Sequence, residues 1–342
     1  MEQQHKYMVR VSCMTYNHAP YIEDAMNGFC MQETTFPFVC TIVDDASTDG
    51  EQEVIKKYLD EHFDLNDDLV VRNEETDDYC LTFAQHKTNK NCYFAVLYLK
   101  YNHYSTKKPK KPYIKEWCET KYIAICEGDD YWIVPNKLQM QVEFMEGNTD
   151  YGLCHTNYTT TGRAHITPMR TEKDDNYWPS ILTKGLRITT ATAMIRTRIY
   201  NSLPHLYVGK GWPIGDLPMW YEIARISKIR YISKVTAKYR FLPESASHSN
   251  SLERVLNYEE KKLEMKRFYA KAYNVEVDEQ VWKTQSYEII IRFAARNKNI
   301  EVVEKYFAEA KKKNIVSYKM LLYYNATKFS IIDWLLRKTH LM

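Results

Sequence analysis

Short apolar runs alternate with helical patterns in the first part of the chain. The run from Met8 to Met14 is β-branched at alternate positions and ends in the polar stretch Thr15 to Pro20, which predicts a strand that enters a loop. Apolar residues at helical spacing follow from Ile22 to Phe29. Residues 38–63 repeat this order with an apolar run, an acidic loop and a helical pattern. The repetition predicts an α/β fold with a parallel sheet.

The pattern continues less regularly through the middle of the chain. Tyr122 to Cys126 reads as a buried strand and is followed by a helical pattern at 138–145. Weaker patterns predict strands at 68–72, 191–196 and 230–239 and a helix at 217–226. The segment 100–115 crowds four lysines around Pro109, and we expect it to be an exposed loop.

The composition changes near residue 250. From Leu252 onward the chain is rich in Glu, Lys and Tyr, has helical periodicity and contains no proline. We therefore expect a catalytic α/β domain over residues 1–250 and an α-helical region over 251–342.

Composition and charge narrow the class of protein. The chain has 342 residues, of which 44% are hydrophobic, and a formal net charge of +3. A charge this small for the length does not indicate steering of nucleic acid by the whole molecule, so no nucleic acid partner is expected. The eight cysteines form no CxxC pair, which argues against a zinc site and favours scattered buried thiols.

Location is also an expectation from the sequence. The first residues, Met1 to Tyr7, show neither the basic nor the apolar region of an export signal. No window approaches the length of apolar residues that a membrane span requires. The expected location is cytoplasmic.

Acidic residues cluster where strands are predicted to end. Asp44 and Asp45 follow the second strand, the run from Glu127 to Asp130 follows the strand at 122–126, and Asp216 precedes a helix. Open parallel sheets bind ligands at this edge, and carboxylates there are typical of a Mg²⁺ or Mn²⁺ site that bridges to phosphate. Each loop has a structural alternative, because Asp and Ser also cap helices and form turns. Adjacent carboxylates repel one another, which favours the metal for Glu127 to Asp130.

Three motifs resemble those of family 2 glycosyltransferases with the GT-A fold. They are VSCMTYN at 11–17, IVDDASTDG at 42–50 and EGDDYW at 127–132, the last at the DxD-like position. Each motif alone is weak, whereas the three in this order and spacing are a strong signal. The resemblance covers about residues 8–248. It implies a GT-A fold, a Rossmann-like and mostly parallel sheet flanked by helices.

The resemblance also implies roles for individual residues on the donor side. The nucleotide base and ribose pocket is expected to be lined by Thr15, Tyr16, Asn17 and Asp45. Asp129 is expected to hold the ribose or the metal, and Asp130, which follows the strand and is expected to lie outside the apolar core, to be the principal ligand of Mn²⁺ or Mg²⁺. Glu127 stands where many relatives have Asp, and Tyr131 and Trp132 are expected to pack.

On the acceptor side, Gly211 to Pro218 resembles the family segment that carries a general base, which makes Asp216 the candidate. A helix cap is its structural alternative, and the two roles are compatible. Arg240 is a candidate contact for the donor phosphates, and His248 for phosphate or metal. Relatives usually have a short polar segment before the central strand that is absent here, so a contribution of Arg72 or Lys90 to the base pocket stays open.

The function implied is inverting transfer of a sugar from a nucleotide-diphosphate donor, first of all a UDP-sugar, to an acceptor hydroxyl of a growing glycan or lipid-linked saccharide. One alternative is a nucleotidyltransferase, although the loop from Thr15 to Pro20 lacks the glycines of a phosphate loop. Another is a basic module that binds nucleic acid or lipid through the lysine segment. The stretch 330–338 has the pattern of an amphipathic helix, which favours packing on the protein or weak peripheral association at the inner membrane face.

Overall fold

The protein is described here by a computed structural model that covers residues 5–67, 70–161, 175–184, 188–242 and 251–338. The chain divides into two compact units. Unit 1 comprises residues 1–177, 187–205 and 222–241, and unit 2 comprises residues 178–186, 206–221 and 242–342.

Unit 1 contains one mixed sheet, to which the described residues contribute eleven strands. They are β1 (Val9–Thr15), β2 (Phe38–Asp44), β3 (Phe63–Asp64), β4 (Arg72–Glu75), β5 (Tyr79–His86), β6 (Cys92–Leu99), β7 (Tyr122–Ile125), β8 (Tyr131–Trp132), β9 (Tyr151–Thr160), β10 (Ala193–Arg196) and β11 (Lys228–Tyr239). Their order is β3-β5-β6-β2-β1-β7-β10-β9-β11-β8, and β4 pairs with β5 at one side.

The helices of the described residues follow the predicted pattern in most places. They are α1 (Ile22–Cys30), α2 (Glu51–His62), α3 (His103–Thr106), α4 (Lys137–Gly147), α5 (Ser180–Lys184), α6 (Thr197–Ser202), α7 (Asp216–Ile226), α8 (Leu252–Ala272), α9 (Glu279–Arg296), α10 (Ile300–Lys312), α11 (Tyr318–Ala326) and α12 (Ser330–Lys338). Short 3-10 helices lie at Lys111–Cys118 and Thr190–Thr192. None of these helices is long and apolar enough to cross a membrane.

Four neighbouring strands, β6, β2, β1 and β7, run parallel and form the centre of the sheet. The strand β1 lies between β2 and β7, with Val9 opposite both Phe38 and Tyr122. The carboxyl ends of these strands therefore lie side by side. The strands and helices predicted from Met8 to His62, and the strand at 122–126 with the helix after it, are confirmed.

The side chains of β2 are buried on both faces of the sheet. Phe38, Cys40 and Ile42 pack with the apolar side chains of α1 and α2, whereas Val39 and Val43 pack on the opposite face. Ile114 and Trp117 cover that second face. A central strand buried on both faces requires such a cover, because exposed apolar area is unfavourable.

The prediction that residues 100–115 form an exposed loop is therefore wrong in part. The segment contains helix α3 and enters a 3-10 helix, and its His103 and Ile114 are only 1% and 5% exposed. The four lysines are typical of a solvated surface, whereas apolar side chains of the same segment, Tyr113 and Ile114, pack against the sheet.

Five strands of the sheet, β3, β5, β6, β8 and β9, were not predicted. The strand β5 pairs antiparallel with β6, and β6 pairs parallel with β2 as the outer neighbour of the central strands. The eight apolar residues from Cys92 to Leu99 were a usable signal, because a continuous apolar run after a polar turn is typical of a buried strand. In the predicted strand at 68–72, residues 68 and 69 lie outside the described part, and the observed strand β4 begins only at Arg72.

Unit 2 is largely helical, as predicted for the end of the chain, and its helices α9 to α12 share an apolar core that includes Ile291, Val303 and Phe307. Earlier residues belong to the same unit. Trp212 packs edge-on against Phe268 with ring centroids 5.5 Å apart. The boundary at residue 250 stays a prediction.

Candidate active site

The loops that follow β1, β2 and β7 meet at the carboxyl edge of the sheet. Thr15 at the end of β1 lies opposite Asp44 at the end of β2. The amide of Asp45 donates to the carbonyl of Thr15 over 3.0 Å, and the amide of Gly128 donates to the carbonyl of Met14 over 3.1 Å. The structure thus brings the three sequence motifs together at the edge where open sheets bind ligands.

The loops after β1 and β2 are also joined through side chains. Asn17 lies in the left-handed region with φ of 56°, and its amide donates to the Ser47 hydroxyl over 2.8 Å. The Asn17 side-chain carbonyl accepts a hydrogen bond from the amide of Thr48, also over 2.8 Å. Asn17 therefore holds the two loops together. Its neighbour Tyr16 is 44% exposed and remains available to a ligand.

Thr15 lies at the centre of this arrangement and is only 3% exposed. Its hydroxyl donates to the carboxylate of Glu51, the first residue of α2. On the other side, a Cβ added to Gly128 would lie 2.1 Å from the Thr15 hydroxyl oxygen. Only glycine fits there without displacing Thr15. Sequence reasoning missed Glu51, because acidic residues are common in the first turn of a helix and this one carried no distinguishing mark.

Asp45 is bound by the segment that follows β6. Its carboxylate accepts hydrogen bonds from the amides of His103 and Tyr104, over 2.8 and 3.1 Å, and pairs with Lys110 over 2.9 Å. Its side chain is 6% exposed. The expected contact of Asp45 with a nucleotide base stays a prediction. In the structure the Asp45 carboxylate caps the first two amides of α3 and pairs with Lys110.

The acidic loop after β7 combines accessible and buried carboxylates. Glu127 and Asp129 are partly exposed, whereas Asp130 is 2% exposed and accepts a hydrogen bond from the amide of Arg240 over 2.8 Å. Burial, and then the negative charge of Asp129, raise the pKa of Asp130 well above its usual range. The expectation that Asp130 lies outside the core is wrong, because the chain after β11 covers it.

Arg240 holds this loop from the other side. Its guanidinium donates to the carbonyl of Asp129 over 2.6 Å and forms an ion pair with Asp24. The rings of Tyr21 and Tyr131 lie 5.1 and 4.4 Å from the guanidinium carbon. Arg240 is 8% exposed, and its observed contacts fix the acidic loop. A contact of Arg240 with donor phosphate stays a prediction.

The packing role of Trp132 is confirmed. It is 1% exposed, lies 5.0 Å from the ring of Phe29 and donates to the carbonyl of Ala191 over 2.8 Å. Trp132 thus anchors the end of the acidic loop in the core.

The described residues contain no group of three or more His, Cys, Asp and Glu side chains arranged to hold a metal ion. The carboxylates of Glu127 and Asp129 are nevertheless close enough to Asp130 to raise its pKa. A divalent cation among these oxygens would relieve that repulsion, so the donor chemistry of the loop fits such an ion. The candidate ligand His248 lies outside the described residues.

Asp216 belongs to unit 2, where it is the first residue of α7. Its carboxylate accepts a hydrogen bond from the amide of Leu217 over 2.8 Å. It is half-buried, and burial raises its pKa. A carboxylate with a raised pKa is a stronger base, so the geometry suits both a helix cap and a general base.

Comparisons with known proteins agree with these observations. Residues 12–79 match the family model described as Glycosyl transferase family 2. An uncharacterized protein of Mycobacterium tuberculosis and one of Mycobacterium bovis are each 28% identical over 141 residues, which is 41% of this chain and 32% of theirs. The chain thus spans about a third of the length of these curated relatives.

Two solved structures resemble the whole chain at low identity. The mannosyltransferase PcManGT from Pyrobaculum calidifontis, in complex with GDP-Man and Mn²⁺, is 11% identical, with a TM-score of 0.50 over 97% of this chain and 87% of that chain. S. aureus TarS 1–349 in complex with UDP is 15% identical, with a TM-score of 0.47 over 94% of this chain and 91% of that chain. Residues 12–79 thus resemble family 2 glycosyltransferases, and the fold of the chain is similar to the GT-A fold of PcManGT.

Proposed function

We propose that the chain transfers a sugar from a nucleotide-diphosphate donor, with a UDP-sugar as the first candidate, to an acceptor hydroxyl of a growing glycan or lipid-linked saccharide. The observation that carries the proposal is the meeting of the three motif loops at the carboxyl edge of β1, β2 and β7. The nucleotide sugar bound to the structural neighbour PcManGT supports the same class of donor.

The proposed donor side is formed by the loops that contain Tyr16, Asn17 and Asp129. Tyr16 is exposed at this edge, and an aromatic ring suits stacking on a base or sugar. Asp130, with Asp129, would contribute carboxylate ligands to a divalent cation, Mn²⁺ or Mg²⁺, which would neutralise charge on the leaving diphosphate. Arg240 keeps these carboxylates in place through the carbonyl of Asp129.

Asp216 is the proposed general base, which would remove the proton of the acceptor hydroxyl as its oxygen attacks the sugar with inversion. Its raised pKa supports this role. We expect Asp216→Asn, which can still accept the hydrogen bond of Leu217, to keep nucleotide affinity and to lower transfer by about a hundredfold. Turnover near the wild-type rate, measured at saturating donor, would leave Asp216 as a cap alone.

The donor class can be tested without knowledge of the acceptor. Calorimetric titration of UDP, GDP and other nucleoside diphosphates, with Mn²⁺ and with EDTA, should show one preferred base and a loss of affinity without the metal. Hydrolysis of the matching nucleotide sugar would then identify the sugar. Absence of binding by every nucleoside diphosphate would contradict the proposal, and binding of nucleic acid with steep salt dependence would favour the basic-module alternative.

Peripheral membrane association is a further part of the proposal. Helix α12 exposes Ile331 by 67% and Trp334 by 56%, and the amine of Lys338 lies 4.8 Å from the Trp334 ring. Aromatic and basic residues side by side suit the headgroup region of an anionic membrane.

A further inference from the structure

Glu51 is a fully buried carboxylate that the proposed chemistry does not use. It is 0% exposed and stands at the start of α2, directly after Gly50, whose φ of 92° requires glycine. Its carboxylate accepts hydrogen bonds from the Thr15 hydroxyl, from the His18 amide over 2.9 Å and from the Ser47 hydroxyl over 2.8 Å. One carboxylate thus binds the loop after β1 at two points and the loop after β2 at a third.

Thr15 extends this connection to the acidic loop. The space beside its hydroxyl is filled by Gly128, because an added Cβ would lie 2.1 Å from the hydroxyl oxygen and 2.7 Å from the Thr15 Cβ. The Thr15 side chain therefore packs directly against the backbone of the acidic loop at Gly128. Thr15 is thus in contact both with Glu51 and with the loop after β7.

The buried charge of Glu51 is not explained by stability. Burial, together with the charge of Asp44, raises the pKa of Glu51, which means that the fold disfavours its ionised form. Replacement of a buried charge by a neutral group of similar shape is often neutral or stabilising. An ionised carboxylate has the advantage that it accepts from three donors at once, which an amide side chain cannot do.

On the basis of the function proposed above, we propose that Glu51 is a positioning residue that sets the donor loops through Thr15 and Gly128. It touches no substrate in this scheme. Its carboxylate holds the Thr15 hydroxyl and the His18 amide, and Thr15 in turn holds the acidic loop at the spacing that the nucleotide diphosphate and its cation require. A displacement of reacting groups by about 1 Å can lower a rate about a hundredfold, so catalysis is sensitive to the spacing of these loops.

The test compares three variants of the full-length protein. Glu51→Gln keeps the shape and removes the charge, and Thr15→Val removes only the hydroxyl. Glu53→Gln makes the same change in charge at an exposed position of α2 and is the matched control. Hydrogen exchange of the free proteins, thermal midpoints and the affinity for UDP with Mn²⁺ are measured for each.

We expect Glu51→Gln to keep or raise the thermal midpoint while it speeds amide exchange both at 15–19 and at 126–130, segments that are distant in sequence. UDP affinity should fall about tenfold or more. The double variant Glu51→Gln with Thr15→Val should lose no more UDP affinity than whichever single variant loses more, because both changes act through one contact. Glu53→Gln should change none of these.

Three results would overturn the inference. The first is faster exchange confined to residues 47–53, the second is additive loss of affinity in the double variant, and the third is a lowered thermal midpoint with unchanged affinity. If the wild-type protein binds no nucleoside diphosphate, the proposed function fails, and the exchange at 126–130 still decides whether Glu51 positions the acidic loop. The third result would leave Glu51 with a structural role alone.

Discussion

Asp130 is a buried hydrogen-bond acceptor, so a substitution that tests its role must keep an acceptor at this position. Because its carboxylate accepts the amide hydrogen of Arg240, alanine would leave that donor unpaired in the interior, at a cost of about 1–3 kcal/mol. We expect Asp130→Asn, which keeps an acceptor, to fold with a thermal midpoint near that of the wild-type protein and to lose Mn²⁺-dependent nucleotide affinity. Calorimetric titration with and without Mn²⁺ measures this, and unchanged affinity would exclude Asp130 as a metal ligand.

Burial of His155 should make the stability of the fold depend on pH. It is fully buried in β9, its Nε2 lies 3.1 Å from the Tyr177 hydroxyl, and burial lowers its pKa from 6.5 to about 3. Since the folded pKa is below the unfolded one, its contribution is fully present above pH 6.5 and is lost as the pH falls from there toward 3. The free energy of unfolding should fall by on the order of 1 kcal/mol for each unit by which the pKa is lowered, or several kcal/mol at most.

The measurement is the free energy of unfolding by urea between pH 7 and pH 4. His155→Asn should flatten the curve relative to the wild-type protein, whereas His62→Asn, at a histidine whose side chain is 42% exposed, should leave its slope unchanged. Parallel curves for the wild-type protein and His155→Asn would show that His155 is not held neutral by the fold.

At the scale of the elements, the apolar residues of α12 divide between two environments. Leu336 is 4% exposed and packs in the core of unit 2, whereas Ile331, Trp334 and Leu335 face outward. We expect weak, salt-sensitive association with anionic vesicles that the double variant Ile331→Ser with Trp334→Ser abolishes. Because Leu336 is retained, the fold of unit 2 should survive the change.

Co-sedimentation with vesicles of anionic and of neutral lipid measures this association. Val281→Ser, at an apolar residue of α9 that is 45% exposed, is the control for a general loss of surface hydrophobicity. Deletion after Phe329 should have the same effect as the double variant. Equal sedimentation of all variants would show that α12 is not the anchor.

At the scale of the whole molecule, unit 2 is assembled from distant parts of the chain. The Trp212 side chain donates to Glu264 over 3.1 Å, and the buried ring of Tyr221 lies 5.4 Å from that of Tyr269. A chain that ends at residue 250 would remove both partners. We expect it to unfold at a lower temperature than the full-length protein and to bind the dye ANS, because it exposes apolar rings.

A chain that ends after Phe329 is the matched control, since it lacks α12 and keeps α8, which carries both partners. It should unfold closer to the full-length temperature and bind less dye than the chain of residues 1–250, although it lacks the buried Leu336. If the chain of residues 1–250 instead behaves like the full-length protein, the predicted boundary at residue 250 is an autonomous domain boundary.

The sequence by itself determined the central strands and the position of the polar loops. Apolar runs such as Phe38 to Val43 are long, uninterrupted and followed by acidic residues, so local pattern was enough to predict that β1, β2 and β7 end in candidate binding loops. The family motifs lie in those same loops. The pairing in the mixed part of the sheet could not be predicted from the sequence, because β9 and β11 pair with register shifts that no local pattern indicates.

The tertiary structure alone decided what each polar side chain contacts. Asp45 is bound by the backbone of residues about sixty positions later, and Thr15 is held between Glu51 and Gly128. Asp130 is buried because the backbone of Arg240 lies over it. A hydrogen-bond partner is fixed by distances of about 3 Å between chain segments that are far apart in sequence, and periodicity and composition carry no information about such distances. The sequence therefore predicted where the candidate site lies, and only the packed chain showed which of its groups face a ligand and which hold the loops.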